Sequence, residues 1–441
     1  MASDWQGVSI AFGGTIFDPT PSWTRVDTVV RVPRITIRRG RRNEFERTDA
    51  GECTVTFHDP AGALDPTSPG LGHIDSKPLA IAIRDPVAGE WFPLFRGQVE
   101  DWGYELRGSQ VTGNVTVTAS DALAYFAGFK MAPGLAGDTP PVQSPGVIFY
   151  EDSPAGTVDV DNRIIQALTD ANWPSGLWSV FSGNVRMQES VYSPGEPILQ
   201  VIDDAADAEF PTVANRYIDR FGFFCFHGRL ARFDPDTVAA SATHWDFHRW
   251  KAGDGAAIAG DSSRAQLRPP FLPMRSISMV RNAAWSYPMG IKGEDMEAQI
   301  ITAAGSISAH GYKPWEAPNL LIAEGVTTGL TANEECALFA EYIIDNYQDP
   351  RTRLDQVTLR PLHPSDPRAA ATWELITGID ISDVIDVVVG HPGGGGVNEM
   401  YYVEGITYEI SPLVKDLDTG YPNVTLTLDL SPTAYWTTNP F

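Results

Sequence analysis

The chain has 441 residues, 43% hydrophobic and 20% charged, with a formal charge of −24 and an isoelectric point near 4.6. That length supports two to four domains with cores of their own, and that balance excludes a disordered chain. The acidity argues against stable binding of nucleic acid, whose affinity comes from counterions released at Lys and Arg, but it suits a passage whose acidic wall repels phosphate.

The longest apolar runs, such as 384–389, are far too short to cross a bilayer, and the start MASDWQGVSI lacks a charged-then-apolar leader. The expectation is a soluble chain made in the cytoplasm, with no membrane anchor. Cys53, Cys225 and Cys336 lie far apart in apolar stretches without CxxC spacing, which reads as buried free thiols rather than a disulfide framework or a zinc site.

In chain order, the first elements alternate as strands: Ile35 and Ile37, Val55 and Phe57, Leu79, Ile81 and Ile83, Val115 and Val117. Asp59-Pro60, Asp65-Pro66 and Asp85-Pro86 punctuate them as turns. A short helix is expected after Ser120, and the Pro/Gly-rich, nearly uncharged stretch 131–147 reads as a linker or surface loop. Ile164, Ile165, Leu168 and Ala171 share a helical face that ends at Trp173-Pro174. A further helix is expected to start at Pro197, with Ile198, Val201, Ile202 and Ala205 as its apolar stripe. Residues 217–233 read as two or three short strands, with turns at Arg220 and His227-Gly228.

Residues 234–270 are polar and rich in Gly and Ala, and read as an extended or functional loop. The clearest helix signal is 332–346, where Thr331 and Glu334 form a capping box and Cys336, Phe339, Ala340, Ile343 and Ile344 make a buried face. Strands are expected from Val357 to Leu430.

An internal echo links the two ends. VTF at 55–57 matches VTL at 357–359, LAIAIRDP at 79–86 matches VIDVVVGHP at 384–392, Gly97 matches Gly405, and NVTVT at 114–118 matches NVTLT at 423–427. The matches fall in the same order with offsets drifting from 302 to 309 residues, which suggests two related β domains.

Active-site signals are sparse. His244 and His248 have metal-like spacing only on a helix, and their aromatic surroundings offer no third ligand. The glycines 393–396 lack the Lys-Ser/Thr of a phosphate loop and read as a hairpin tip. Gly260-Asp261-Ser262-Ser263 does not follow a buried strand, as a nucleophile would. Asp203, Asp204 and Asp207 fit the solvated face of their helix. No catalytic residue, cofactor or metal site is assigned.

Seven arginines fall between Arg31 and Arg47 against only Glu44 and Glu46, a local charge of +5. They admit three readings: scattered surface cations, a salt-bridged subunit interface, or a nucleic-acid patch. Trp245, Phe247 and Trp250 are an interface anchor, a sugar platform, or half-buried packing. The candidate subunit-interface residues are therefore Arg38, Arg39, Arg41 and Arg42, with Trp245, Phe247 and Trp250.

The block RITIRRGRRNEFERTDAGECTVTFHDPAGALDPTSP with LFRGQVEDW resembles the minor tail proteins, or baseplate (tail-tip) hub proteins, of long-tailed actinobacterial bacteriophages. The likeness continues through 180–188 and 192–233, HWDFHRWKAGDG and the terminal VTLTLDLSPTAYW. It implies a mainly β, α+β, fold with two related barrel-like domains flanking a mixed α/β insertion.

The expected layout is a first tube-like barrel at 1–130, a linker at 131–147, the insertion at 148–233, an extended loop at 234–274, and a second barrel at 275–441 carrying the 332–346 helix. The resemblance further implies a non-enzymatic homotrimeric hub at the virion tail tip, made in the host cytoplasm. Its partners would be the distal tail protein ring, the tape measure protein and other tail-tip or fibre proteins, with DNA only in transit. A hexameric distal tail protein and a carbohydrate-binding or cell-wall-degrading receptor protein are the competing readings.

Overall fold

Alternation along the chain sets the architecture. Ile35, Ile37, Val55, Phe57, Val115 and Val117 are fully buried, and the Thr residues between them stay half-exposed or exposed. A period of two with β-branched side chains on both faces is what a one-side-solvated sheet requires. The computed structural model describes residues 7–27, 30–59, 61–67, 74, 75, 77–107, 110–132, 148–150, 158–233, 248–289, 297–326, 328–390, 396–415 and 422–433.

The dominant element is a 13-stranded sheet. Its first half runs in the order Thr24–Arg25, Val8–Phe12, Pro78–Arg84, Trp91–Arg107, Gln110–Ser120, Asp49–His58 and Arg31–Gly40. Its second half runs Gly396–Lys415, Val384–Gly390, Arg249–Gly253, Ala265–Arg268, Gln356–Leu359 and Pro422–Pro432. The last of these pairs back onto Gly396–Lys415 and closes a six-stranded barrel. The fold is thus mainly β, with two related barrel-like halves.

The echo in the sequence corresponds to a repeated pairing pattern. Asp49–His58 pairs with Gln110–Ser120, and Trp91–Arg107 pairs with both Pro78–Arg84 and Gln110–Ser120, all antiparallel. In the second half, Gln356–Leu359, Pro422–Pro432, Gly396–Lys415 and Val384–Gly390 repeat that arrangement. The matched glycines serve the same end. A Cβ on Gly97 would lie 2.4 Å from the Ser120 carbonyl oxygen, and one on Gly405 would lie 2.5 Å from that of Arg41. Each marks a close backbone approach on the long central strand.

The two halves are one sheet. Gly405–Ile410 pairs antiparallel with Gly40–Ile35, so the 20-residue strand Gly396–Lys415 serves the barrel and the first half along the same edge. One apolar core accordingly spans both, from Val8 and Phe57 to Val387 and Leu430.

A second core holds the α/β insertion, built on the helices Val160–Asp170, Ile198–Glu209 and Ala332–Tyr347. Small sheets surround them: Trp178–Val180 with Phe224–His227 and Asn215–Ile218, and Gln299–Thr302 with Ala283–Pro288 and Pro314–Leu320.

Several expectations need correction. The expected loop 234–274 contains barrel strands, Arg249–Gly253 and Ala265–Arg268. The capped helix at 332–347 packs in the insertion core instead of the second barrel. The insertion is therefore assembled from two chain segments with barrel strands between them, and short-strand patterning carries no record of which strand pairs with which. Ala369–Gly378 is a helix where strands were expected. Its AAATWELITG is apolar on nearly every side, with Trp373 fully buried, and such a run lacks the polar face that tells helix from strand. Pro197 caps its helix from outside, and residues 229–233 are helical instead of a third strand.

Candidate functional site

The arginine block divides by the pleat. Arg38 points outward on the strand Arg31–Gly40, opposite Glu52 on one side and Thr407 on the other. One residue later Arg39 is buried, paired with Asp380 at 2.8 Å and donating to the Ile218 carbonyl at 3.2 Å. Gly40 then takes φ +87°, where a Cβ would lie 2.2 Å from the Glu404 carbonyl oxygen. This left-handed residue turns the chain so that Arg41 runs inward and Arg42 outward.

Arg41 meets the centre of the molecule. Its Nε donates to Glu404 Oε2 at 2.8 Å, and its other nitrogens donate to the carbonyls of Glu46 and Thr212, both at 3.1 Å. Glu404 is fully buried on the long shared strand. Arg232, from the short helix Arg229–Phe233, grips the same carboxylate with two nitrogens, and the Ser431 hydroxyl donates to it as well. Burial alone would raise the Glu404 carboxyl, and the flanking Arg232 and Arg41 outweigh it, holding the group well below its ordinary range. First half, barrel and insertion thus meet at one carboxylate.

Further ion pairs occur, most of them buried. Arg353 pairs with Glu44 at 2.9 Å, and Arg229 pairs with Glu335 at 2.8 Å. Arg216 pairs with Asp203 and donates to the Thr48 carbonyl at 2.7 Å, while Arg47 bridges Asp203 and Asp207. Asp203 was expected on a solvated face and is buried instead, because the Asn215–Ile218 strand brings Arg216 against it. Pairs of this kind add little net stability over apolar packing, but removing one partner strands a buried charge. A cleft of about 320 Å³ opens beside them, walled by Arg47, Asp207, Thr212, Arg216 and Trp315.

A second feature is the outward face of the joined sheet. Thr116 lies opposite Thr56, Thr118 opposite Thr54, and Thr54 opposite Thr36. The row continues through Glu409 to Thr425, and the neighbouring row runs Arg38, Thr407, Thr427, Thr358. The result is a polar floor, mostly Thr with Arg38 and Glu409 among them, that crosses from one half to the other.

Of the candidate interface residues, Arg38 and Arg42 are exposed, and Arg39 and Arg41 are committed to pairs within the chain. Trp250 is half-buried, packs on the large core and donates from Nε1 to Asp383 at 2.9 Å, so it seals the barrel rather than standing free as a platform. Trp245 and Phe247, together with His244 and residues 393–395, lie outside the described residues. Asp261 accepts from the backbone and hydroxyl of Ser263, a local turn with no nucleophile geometry. The three cysteines are buried, and no cluster of metal-ligating side chains occurs among the described residues.

Local sequence does not mark which arginines are buried, but composition carries one signal. Only six of the 32 cationic residues are Lys, and Arg is the residue suited to bidentate internal pairing.

No protein-family model and no curated protein matches the sequence. Solved structures do match. The tail protein from Neisseria meningitidis MC58 aligns with a TM-score of 0.56 at 10% identity, covering 98% of this chain and 98% of that one. The 43 kDa tail protein of prophage MuSo2 from Shewanella oneidensis aligns with a TM-score of 0.53 at 11% identity, covering 97% of this chain and 99% of that one. Over nearly its whole length, this chain shares the fold of those two tail proteins.

Proposed function

We propose that this chain is a structural protein of a bacteriophage tail, acting as the hub of the tail tip. Three copies form a homotrimer that joins the six-fold tail tube and its distal tail protein ring to a three-fold tip. The observation that carries this reading is the edge-to-edge union of two matching halves in one chain at Gly405–Ile410 and Gly40–Ile35. Two tube-like modules per chain convert three copies into six positions, whereas a hexameric distal tail protein needs only one module per chain. The shared fold with two tail proteins supports the placement in a virion.

On this reading the hydroxyl-lined face borders the exit channel. Short Thr side chains dominate it, and its exposed cations Arg34 and Arg38 lie beside the acids Glu409 and Glu52, so a phosphate backbone finds little to hold, which suits DNA in transit. The tape measure protein and other tail-tip or fibre proteins are the remaining partners, and Arg38 and Arg42 are the interface cations. Catalysis has no part in the proposal. Trp250, tied to Asp383, argues against a sugar platform at that position. Immunogold labelling of purified virions tests the placement: label at the tail tip with half as many copies as one tube ring is expected, and label along the whole tube would overturn it.

A further inference from the structure

The segment 268–278 is composed against the rest of the chain. From Ser262 to Gly293 the sequence holds no Asp or Glu, but it holds Arg264, Arg268, Arg275, Arg281 and Lys292, in a chain of formal charge −24. The segment leaves the barrel strand Ala265–Arg268, forms the strand Pro273–Arg275 against Thr352–Leu354, and enters the insertion at Ile277–Met279. Among the described residues the other edge of Pro273–Arg275 pairs with no strand.

Phe271 anchors it on the large core, and most of its other side chains face solvent. Leu272 is 66% exposed, Met274 43% and Ile277 48%, and Pro269, Pro270 and Pro273 are exposed beside them. A lone exposed apolar residue needs no explanation, whereas a contiguous run of them marks a contact surface. Two neighbouring cations are satisfied within the chain: Arg264 pairs with Asp386 at 2.6 Å, and Arg281 donates to the Ser278 carbonyl at 2.7 Å with its guanidinium over the Phe45 ring. Arg275, between Met274 and Ile277, is exposed and has no ion pair among the described residues.

We infer that residues 268–278 form an arm by which one copy of this chain grips a second copy. Leu272, Met274 and Ile277 are buried against the neighbour, and Arg275 pairs with one of its carboxylates. The occupant follows from charge. Copies carrying −24 each repel one another, and an acid-free segment that is both cationic and apolar is complementary to the acidic surface of another. Because the arm and the acidic surface are different patches, the contact is head-to-tail, and a rotation of one third of a turn per copy closes it into the three-membered ring of that reading. The inference rests on the three-copy reading above and adds an apolar contact surface to the interface cations named there.

Light scattering coupled to size exclusion, over a dilution series of the full chain, tests it. The wild type is expected at three chain masses, and the triple variant Leu272→Asp, Met274→Asp, Ile277→Asp at one. Arg275→Glu, a surface change that spares the fold, is expected to weaken association at least about tenfold. Unchanged near-ultraviolet circular dichroism identifies folded variants. Both folded variants remaining at three masses would overturn the arm and leave the three-copy reading standing. A wild type at one mass overturns both, and six masses with monomeric variants overturns the three-copy reading alone.

Discussion

The two halves of the large sheet share four antiparallel strands in one pairing pattern and differ in how they end. In the second half, Arg249–Gly253 and Ala265–Arg268 fill the gap between Val384–Gly390 and Gln356–Leu359, so the sheet closes. In the first half, Arg31–Gly40 keeps Asp49–His58 on one edge and takes the second half's long strand on the other, so this half stays open and joins the barrel. Closure removes a free edge, and so does union with another sheet. The first half therefore gains its last partner from within the same chain, and the price is a junction where a glycine and two arginines, Arg41 and Arg232, must fit around one carboxylate.

That contrast orders the expected outcomes. The largest belongs to Glu404. Replacing it by Ala leaves Arg41 and Arg232 buried without their anion, a loss of about 3–5 kcal/mol measured by urea denaturation. A variant as stable as the wild type would show that the junction does not hold the halves. Gly40→Ala comes next. Its φ of +87° and the 2.2 Å approach to the Glu404 carbonyl oxygen both disfavour a side chain, and a loss exceeding about 1 kcal/mol is expected in the same assay.

The pH dependence separates the halves by their buried acids. Burial pushes the Asp121 carboxyl in the first half and the Asp383 carboxyl in the second up to about 7. The folded state then keeps protons that the unfolded chain releases near pH 4. This contribution is fully present below that pH and is lost as pH rises through about 7. Glu404 acts in the opposite sense, since its lowered value gives stability that is present above its ordinary range and lost only in strong acid. Melting temperatures should decline between pH 5 and 8, and Asp383→Asn should flatten that decline. The smallest effect on the single chain belongs to Arg38→Glu and Arg42→Glu. Both residues are exposed, so folding stability should change by less than about 0.5 kcal/mol while tail-tip assembly weakens.

Much of the sheet was legible because burial on one face imposes alternation. Ile35 and Ile37, or Val115 and Val117, announce their strands, and the Thr331–Glu334 capping box announces its helix. The echo between Gly97 and Gly405 was legible because both long strands need the same close backbone approach. What was not legible lies in long-range pairing. Arg38 and Arg39 are neighbours with opposite fates, decided by the pleat and by Asp380 more than 300 residues away. Nothing local distinguishes Arg41 from Arg42 until Gly40 turns the chain between Glu404 and the solvent. The split insertion was hidden for the same reason, since its helix at 332–347 finds its core partners only after the barrel strands have been laid down elsewhere.

The most direct test is the number of copies in a cryo-EM reconstruction of the tail tip, refined without imposed symmetry. Three copies, each placing its two sheet halves at adjacent positions of a six-membered ring, is the expected result. Six copies around that ring, each filling one position, would contradict the reading of this chain as a hub.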